Sequence, residues 1–86
     1  MKIADHVIEE YDEESGKFIL IDIQEGKLFH INASAHEIVQ SIKRTGGLDG
    51  YYSRMWQCRA NADVDVIQQD ALHFLDNLKE KGYLIA

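Results

Sequence analysis

The side chains best suited to bind a metal or attack a substrate are four histidines and one cysteine: His6, His30, His36, His73 and Cys58. No histidine pair has the His-x-x-x-His spacing that places two ligands on one helix face, and the cysteine has no Cys-x-x-Cys partner. The spacing therefore predicts no metal site. A nucleophilic thiol needs a positioned base, but the charged neighbours of Cys58 are arginines. We expect a half-buried structural thiol.

Two other catalytic arrangements are disfavoured as well. Gly46-Gly47 follows a predicted helix rather than a strand, so it does not form a phosphate-binding loop. A glycosidase-like pair of carboxylates needs a cleft, and a chain of 86 residues buries only about 60–65% of its extendable surface. We predict a protein that is not an enzyme and holds no cofactor.

Three segments carry the pattern of β-strands. Residues 3–11 alternate imperfectly, whereas residues 17–23 are mostly β-branched or aromatic, which is typical of a covered central strand. Turns that contain glycine follow both segments, and residues 27–31 return as a third strand. The segments predict an antiparallel meander whose first and third strands are edges.

Three helices are predicted after the meander. The first begins either with Asn32 as its N-cap or with Ser34 and Glu37 as a capping box. Residues 48–60 show helix-like spacing of apolar side chains, and residues 64–81 form a longer helix with one apolar stripe. The predicted fold class is α+β, with a three-stranded antiparallel sheet followed by three helices (βββααα). We expect one winged helix-turn-helix-like domain over residues 1–86.

Acidic side chains are concentrated in the first third of the chain. Residues 1–26 hold eight Asp or Glu and two Lys, a net charge of −6, whereas residues 27–86 hold seven acids and seven bases. The run of acids within residues 9–14 is typical of a solvated loop that keeps a small protein soluble. The alternative is a patch that attracts a basic partner.

Nucleic acid and membrane are poor partners for this chain. The recognition helix of a winged helix would be residues 64–81, whose four acids and two lysines give a net charge of −2 and would repel phosphates. Residues 1–6 lack an apolar signal core, and no apolar run approaches the about 20 residues that span a bilayer. We expect a cytoplasmic protein, which a single cysteine also fits.

The third predicted strand offers a free edge. Alternation places Leu28 and His30 on one face and Phe29 and Ile31 on the other. The strand has no proline and one lysine, so little protects it from pairing with another chain. Beside an amphipathic helix, such an edge can take up an extended peptide as a further strand. It can also pair two copies into a homodimer, and an edge that binds nothing remains the third alternative.

Two stretches of the chain resemble the PqqD family. Within residues 15–45, the segment G-K-L-F-H-I-N-A-S-A is similar to the family's Gly-x-x-aromatic-x-Leu/Ile-Asn strand and its small-residue helix start. Within residues 63–84, the segment D-A-L-H-F-L-D-N-L-K-E-K-G-Y-L is similar to the family's last helix. PqqD-like domains recognise precursor peptides in pathways that modify ribosomally synthesised peptides.

The resemblance implies a winged-helix-like fold and binding without catalysis. The leader of a precursor peptide would add as a strand to residues 27–31, pack against helix 64–81, and be delivered to a leader protease or a modifying enzyme. The implied peptide-binding residues lie on these two elements: Leu28, Phe29, His30, Ile31, Ile67, Asp70, Phe74, Asn77 and Leu78. Asp70 would pair with a lysine or arginine of the leader, and Phe74 would line an apolar pocket. For Ile67 and Leu78, plain core packing is an equal alternative.

One segment departs from the family pattern. The family has a Thr-x-x-Glu-Ile start to its second helix, but here a glycine-rich turn leads to Tyr51, Tyr52 and Trp56. We interpret these aromatic residues as a surface that docks the partner enzyme. The segment K-L-F-H-I-N-A-S-A looks closer to the leader-binding proteins of lasso-peptide pathways. The alternative subtype is the quinone-cofactor chaperone that serves a radical enzyme.

Overall fold

A computed structural model describes residues 1–58 and 63–85 of the chain, without the side chains of residues 56–58. The end of the helix predicted over residues 48–60 and the environment predicted for the Cys58 side chain lie outside this part. None of the described helices is long and apolar enough to cross a membrane.

The described elements form two small sheets and three helices. In chain order they are β1 (Lys2–Ile3), β2 (Val7–Asp12), β3 (Lys17–Asp22), β4 (Lys27–Ile31), α1 (Ala33–Thr45), α2 (Asp49–Cys58), α3 (Val64–Glu80) and β5 (Leu84–Ile85). Strands β2, β3 and β4 form an antiparallel meander in that order, and β1 pairs with β5 in a separate sheet. The α+β class, the three-stranded sheet and the three helices are confirmed. The winged-helix likeness stays a prediction.

The first strand differs from the prediction over residues 3–11. The chain leaves β1 after Ile3 and turns, with the Val7 N–H donating to the Ala4 carbonyl at 3.1 Å. The Ala4 N–H donates to the Tyr83 carbonyl at 2.8 Å, so the start of the chain follows the tail after α3 rather than the meander. Leu84 and Ile85, which follow α3, form β5. Alternation within residues 3–11 could not show this, because the pairing partner lies at the other end of the sequence.

The helix ends follow local capping chemistry. Of the two predicted starts for α1, the structure has the first: the Ala35 N–H donates to Oδ1 of Asn32 at 2.8 Å. Gly46 ends α1 at a φ of 73°, a left-handed conformation that favours glycine, and its N–H donates to the Ile42 carbonyl. Asp63 caps α3 by accepting from the Asp65 N–H at 2.9 Å.

The core lies between one face of the meander and the helices. Its most buried side chains come from β3, α1 and α3: Leu20, Ile38, Val39, Ile42, Ala71 and Leu78. The apolar stripe predicted for α3 is buried at Ile67, Ala71, Leu75 and Leu78, but Val64 is 43% exposed. Val64 is the first residue of α3 and lies at the end of the stripe.

A buried carboxylate ties the tail to the sheet. Asp22, at the end of β3, is 2% exposed. One of its oxygens accepts the N–H groups of Gln24 and Glu25 at 3.0 and 3.1 Å, and the other accepts the Tyr83 hydroxyl at 2.9 Å. Burial opposes ionisation of Asp22, but these hydrogen bonds outweigh it and the pKa lies below its usual value. Burial, and then the bond to Asp22, raise the pKa of Tyr83 to about 12.

Candidate functional site

Strand β4 is an edge of the meander. It pairs with β3 on one side, and no strand of the described chain lies on its other side. Its register with β3 is regular from Phe18–Ile31 to Asp22–Lys27, so the edge has no bulge to twist it away. The row of backbone groups along β4 is thus in the geometry that another strand would need.

The register identifies which backbone groups of β4 face this open edge. The Ile23 N–H donates to the His6 carbonyl at 2.9 Å, so the odd-numbered residues of β3 are bonded to β2. Successive residues of a strand turn their N–H and C=O groups to opposite sides, so the even-numbered residues of β3 bond to the odd-numbered residues of β4. The N–H and C=O groups of Leu28 and His30 therefore point to the open edge.

A groove of about 400 Å³ lies between β4 and α3. Its floor includes the buried side chains of Leu20, Ile31 and Leu78, and the half-buried rings of Phe29 and Phe74 contribute to its walls. Six of the nine predicted peptide-binding residues line it: Phe29, His30, Ile31, Phe74, Asn77 and Leu78. The structure therefore brings together the apolar part of the predicted site beside the open edge.

A lysine that sequence reasoning missed lies at one end of the groove. The Lys81 ammonium is 4.4 Å from the centre of the Phe29 ring, a cation–π distance. The Tyr83 ring meets the same phenylalanine edge-on at 5.8 Å. Phe74, Leu78 and Lys81 follow the spacing of one helix face, so continuing that pattern past Leu78 would have indicated the lysine.

The groove continues past Phe74 into a second depression of about 430 Å³. The two depressions share Asn32, Ala35, Phe74 and Asn77. Asp70 and His73 line only the second one. The continuous groove therefore has a cation, Lys81, at one end and an acid, Asp70, at the other, with the apolar floor on the side of Lys81.

Three predicted residues do not reach the groove with their side chains. His30 lies on the same face of β4 as Leu28, with its ring 3.9 Å from a carboxylate oxygen of Asp12, so it borders the groove through its backbone. Leu28 is 60% exposed and lies on the opposite face of β4, so only its backbone is available at the edge. Ile67 is 7% exposed and belongs to the core, which supports the core-packing alternative. Leu78 combines both roles, since it is 2% exposed and also lines the groove floor.

The aromatic surface predicted for the second helix is wrong at Tyr51. That side chain is 3% exposed and belongs to the core, and the half-buried Tyr52 ring packs 5.4 Å from it. The Trp56 side chain lies outside the described residues. Apolar side chains that recur at helical spacing are usually buried in the core of the domain, and the Tyr51 side chain follows this rule.

Two of the described histidines lie beside carboxylates of β2. His36 lies in a contact between α1 and β2, where its Nδ1 is 2.9 Å from Oε1 of Glu9 and its ring stacks on Phe18 at 3.7 Å. His30 lies 3.9 Å from a carboxylate oxygen of Asp12. Within residues 1–58 and 63–85, no three His, Cys, Asp or Glu side chains are grouped to hold a metal ion. His36 is therefore a packing residue.

Comparison with known proteins gives one family and one similar structure. The family described as coenzyme PQQ synthesis protein D (PqqD) matches residues 17–84. A solved structure described as TbiB1 in complex with the TbiA(beta) leader peptide is similar to this chain, with a TM-score of 0.74 and 24% sequence identity. The likeness covers 98% of this chain and 94% of that chain, and it shows a shared fold. No curated protein sequence matches the chain.

Proposed function

The chain belongs to the PqqD family, and on that premise we propose that it binds the leader of a ribosomally synthesised precursor peptide. The leader adds to β4 as a fourth strand. The observation that carries this proposal is the open edge, with the backbone groups of Leu28 and His30 directed outward beside an apolar groove. The similar structure, whose description names a bound leader peptide, supports it.

The groove selects leader residues by polarity. An added strand directs alternate side chains to the groove, where an apolar residue fits between Phe29 and Phe74. A lysine or arginine of the leader reaches Asp70 at one end, and an acidic residue suits Lys81 at the other end. The leader is thus an extended segment with an apolar centre and opposite charges on its two sides.

In this proposal the chain is an adaptor that has no catalytic step and no cofactor. Residues 1–86 act as one cytoplasmic domain that delivers the leader to a leader protease or a modifying enzyme, in a lasso-peptide pathway. The alternative is a chaperone of the pyrroloquinoline quinone type that serves a radical enzyme. A winged-helix nucleic-acid module is the weakest alternative, because α3 carries four acids against one lysine.

The test is calorimetric titration with the leader peptide encoded beside the gene, using two substitutions at one position. His30→Pro removes an N–H that faces the open edge and leaves the β3–β4 hydrogen bonds in place, which is where an edge strand tolerates proline. We expect micromolar or tighter binding by the unchanged chain and a loss of at least about tenfold in His30→Pro. His30→Ala keeps the N–H and binds within about threefold of the unchanged chain.

Circular dichroism and melting temperature establish that both variants are folded. A folded chain that gives no heat with the correct leader would overturn the proposal. Equal affinities for His30→Pro and His30→Ala would show that the peptide does not use the β4 edge. Binding to duplex DNA that weakens steeply with salt would favour the nucleic-acid alternative.

A further inference from the structure

The face of the meander that turns away from the helices carries an aliphatic patch. The register aligns Ile8, Ile21 and Leu28 in one row across all three strands. Ile19 in β3 and Ile23 directly after it lie two residues before and after Ile21, on the same face. We call these five residues the outer-face patch. Its side chains alternate with those that form the core, so they belong to the opposite face of the sheet.

Three of the five side chains of the outer-face patch are exposed in the described chain, and Ile19 and Ile21 on the central strand are half-buried. Ile8 is 40% exposed, and Ile23 and Leu28 are each 60% exposed. The residues of the meander that belong to the core, such as Val7, Leu20 and Ile31, all lie on the other face. Contiguous aliphatic surface of this kind marks an interaction site more often than isolated exposed residues do.

The border of the patch is acidic. Residues 7–31 contain seven Asp or Glu and two Lys, but Glu9 and Asp22 are buried on the core face, which leaves five acids against two lysines, a formal net charge of −3. Glu10 and Asp12 lie two and four residues after Ile8 on β2, so their side chains lie on the same face of the sheet as that of Ile8. A hydrogen bond from Ser15 holds the pKa of Asp12 below its usual value, so this carboxylate is ionised at neutral pH. One of the two lysines, Lys27, is 3.0 Å from Glu25.

The acidic border indicates which kind of partner could bind to the outer-face patch. A second copy would bring the same acidic border against this one, and like charges facing each other across an interface oppose association. A leader strand is placed at the β4 edge and the groove, which lie beside and behind the patch. A protein surface with an aliphatic centre bordered by Lys and Arg is complementary both to the aliphatic patch and to its acidic border.

We propose that the outer-face patch docks such a protein, and that this protein is the enzyme to which the leader is delivered. The inference rests on the proposed function. The two sites use opposite faces of one sheet, so leader and enzyme can be bound at the same time. A leader strand added to β4 would also place its outward side chains next to Leu28 and His30, where they border the docked enzyme.

The experiment measures binding of the purified leader protease or modifying enzyme encoded with this chain. Ile23→Lys and Ile8→Thr alter the patch away from the groove, and threonine keeps the β-branched shape that suits a strand. Val66→Lys on α3, where the side chain is 51% exposed, is the matched control. We expect each patch variant to weaken enzyme binding about tenfold, the control to leave it unchanged, and added salt to weaken binding by the unchanged chain.

Leader titration of the same variants separates the two proposals. Ile23→Lys and Ile8→Thr keep their leader affinity if the groove and the patch act as described. Absence of enzyme binding, or equal enzyme binding by Ile23→Lys and the unchanged chain, would overturn the docking inference while leader binding stands. Sedimentation that shows a dimer of the unchanged chain, lost in Ile23→Lys, would assign the patch to a second copy instead. An unchanged chain that binds the enzyme but not the leader contradicts only the proposed function.

Discussion

Phe74 lines both halves of the groove and is half-buried against the core. Removing its ring takes away the wall on which an apolar leader residue would pack, while the stripe of α3 beneath it stays intact. We expect Phe74→Ala to weaken leader binding at least about tenfold. Calorimetric titration with the leader measures the effect.

Leu72→Ala is the matched control for Phe74→Ala, because Leu72 lies on the same helix and is 55% exposed. It should bind the leader as the unchanged chain does. Circular dichroism must show that Phe74→Ala keeps its helix content. A folded Phe74→Ala variant with full affinity would remove the ring from the binding site.

The bond between Asp22 and Tyr83 links stability to pH in two windows. The pKa of Asp22 is lowered in the folded chain, so its contribution is present above the unfolded pKa of about 3.9 and is lost as the pH falls through the folded pKa. The pKa of Tyr83 is raised from 10.0 to about 12. Its contribution is therefore complete below the unfolded value and is lost as the pH rises through about 12.

Tyr83→Phe tests this linkage. The variant leaves a buried carboxylate oxygen of Asp22 without the hydroxyl, so we expect the melting temperature at pH 7 to fall by about 5 °C. The difference between the two proteins should narrow from pH 10 to pH 12, because Tyr83 ionises from about pH 10 in the unfolded chain but keeps its proton up to about pH 12 in the folded chain. Melting curves by circular dichroism at several pH values measure it, and a difference that stays constant up to pH 12 would contradict the linkage.

Single residues of the site were predictable where they follow a local period. Phe74 and Leu78 lie on one face of α3, and Lys81 continues that face. Asp22 and Tyr83 have no such signal, because they are 61 residues apart. Only the folded chain shows that a carboxylate after an apolar strand is buried and paired.

At the scale of elements, the start of α1 depends on Asn32. Its Oδ1 accepts the Ala35 N–H at 2.8 Å, which satisfies a donor that the first helical turn leaves open. We expect Asn32→Ala to lower the free energy of unfolding by about 1 kcal/mol. Urea unfolding followed by circular dichroism measures the change.

Ser34→Ala distinguishes this cap from the capping box that the sequence also allowed. Ser34 is half-buried, but Asn32 provides the side chain that caps α1, so removing the Ser34 hydroxyl should leave the unfolding free energy within about 0.5 kcal/mol. A larger loss in Ser34→Ala than in Asn32→Ala would reverse the assignment.

The elements were predictable to different degrees. Strands β3 and β4 and all three helices carry their own periodicity and caps, and their bounds agree with the prediction within a few residues. Strands β1 and β5 have two residues each, too few for alternation to identify. Each of them forms because the rest of the fold brings the other one alongside it, and no local sequence pattern predicts that proximity.

At the scale of the whole molecule, the meander separates two kinds of surface. One face and the β4 edge form the groove with α3, and the other face carries the outer-face patch within the acidic first third of the chain. Composition predicted the acidity and its position. It could not predict which aliphatic side chains would stay uncovered, because that depends on the face to which the helices pack.

The pairing of β1 with β5 has a practical consequence. Lys2 lies opposite Ile85, so the first and last strands of the domain are neighbours, in a sheet separate from β4. Domains with adjacent ends tolerate circular permutation and insertion into a host protein. The domain could thus be built as a cassette into a surface loop of an enzyme through two short linkers. Such a chimera would carry its own docking module for substrates while the β4 edge stays open.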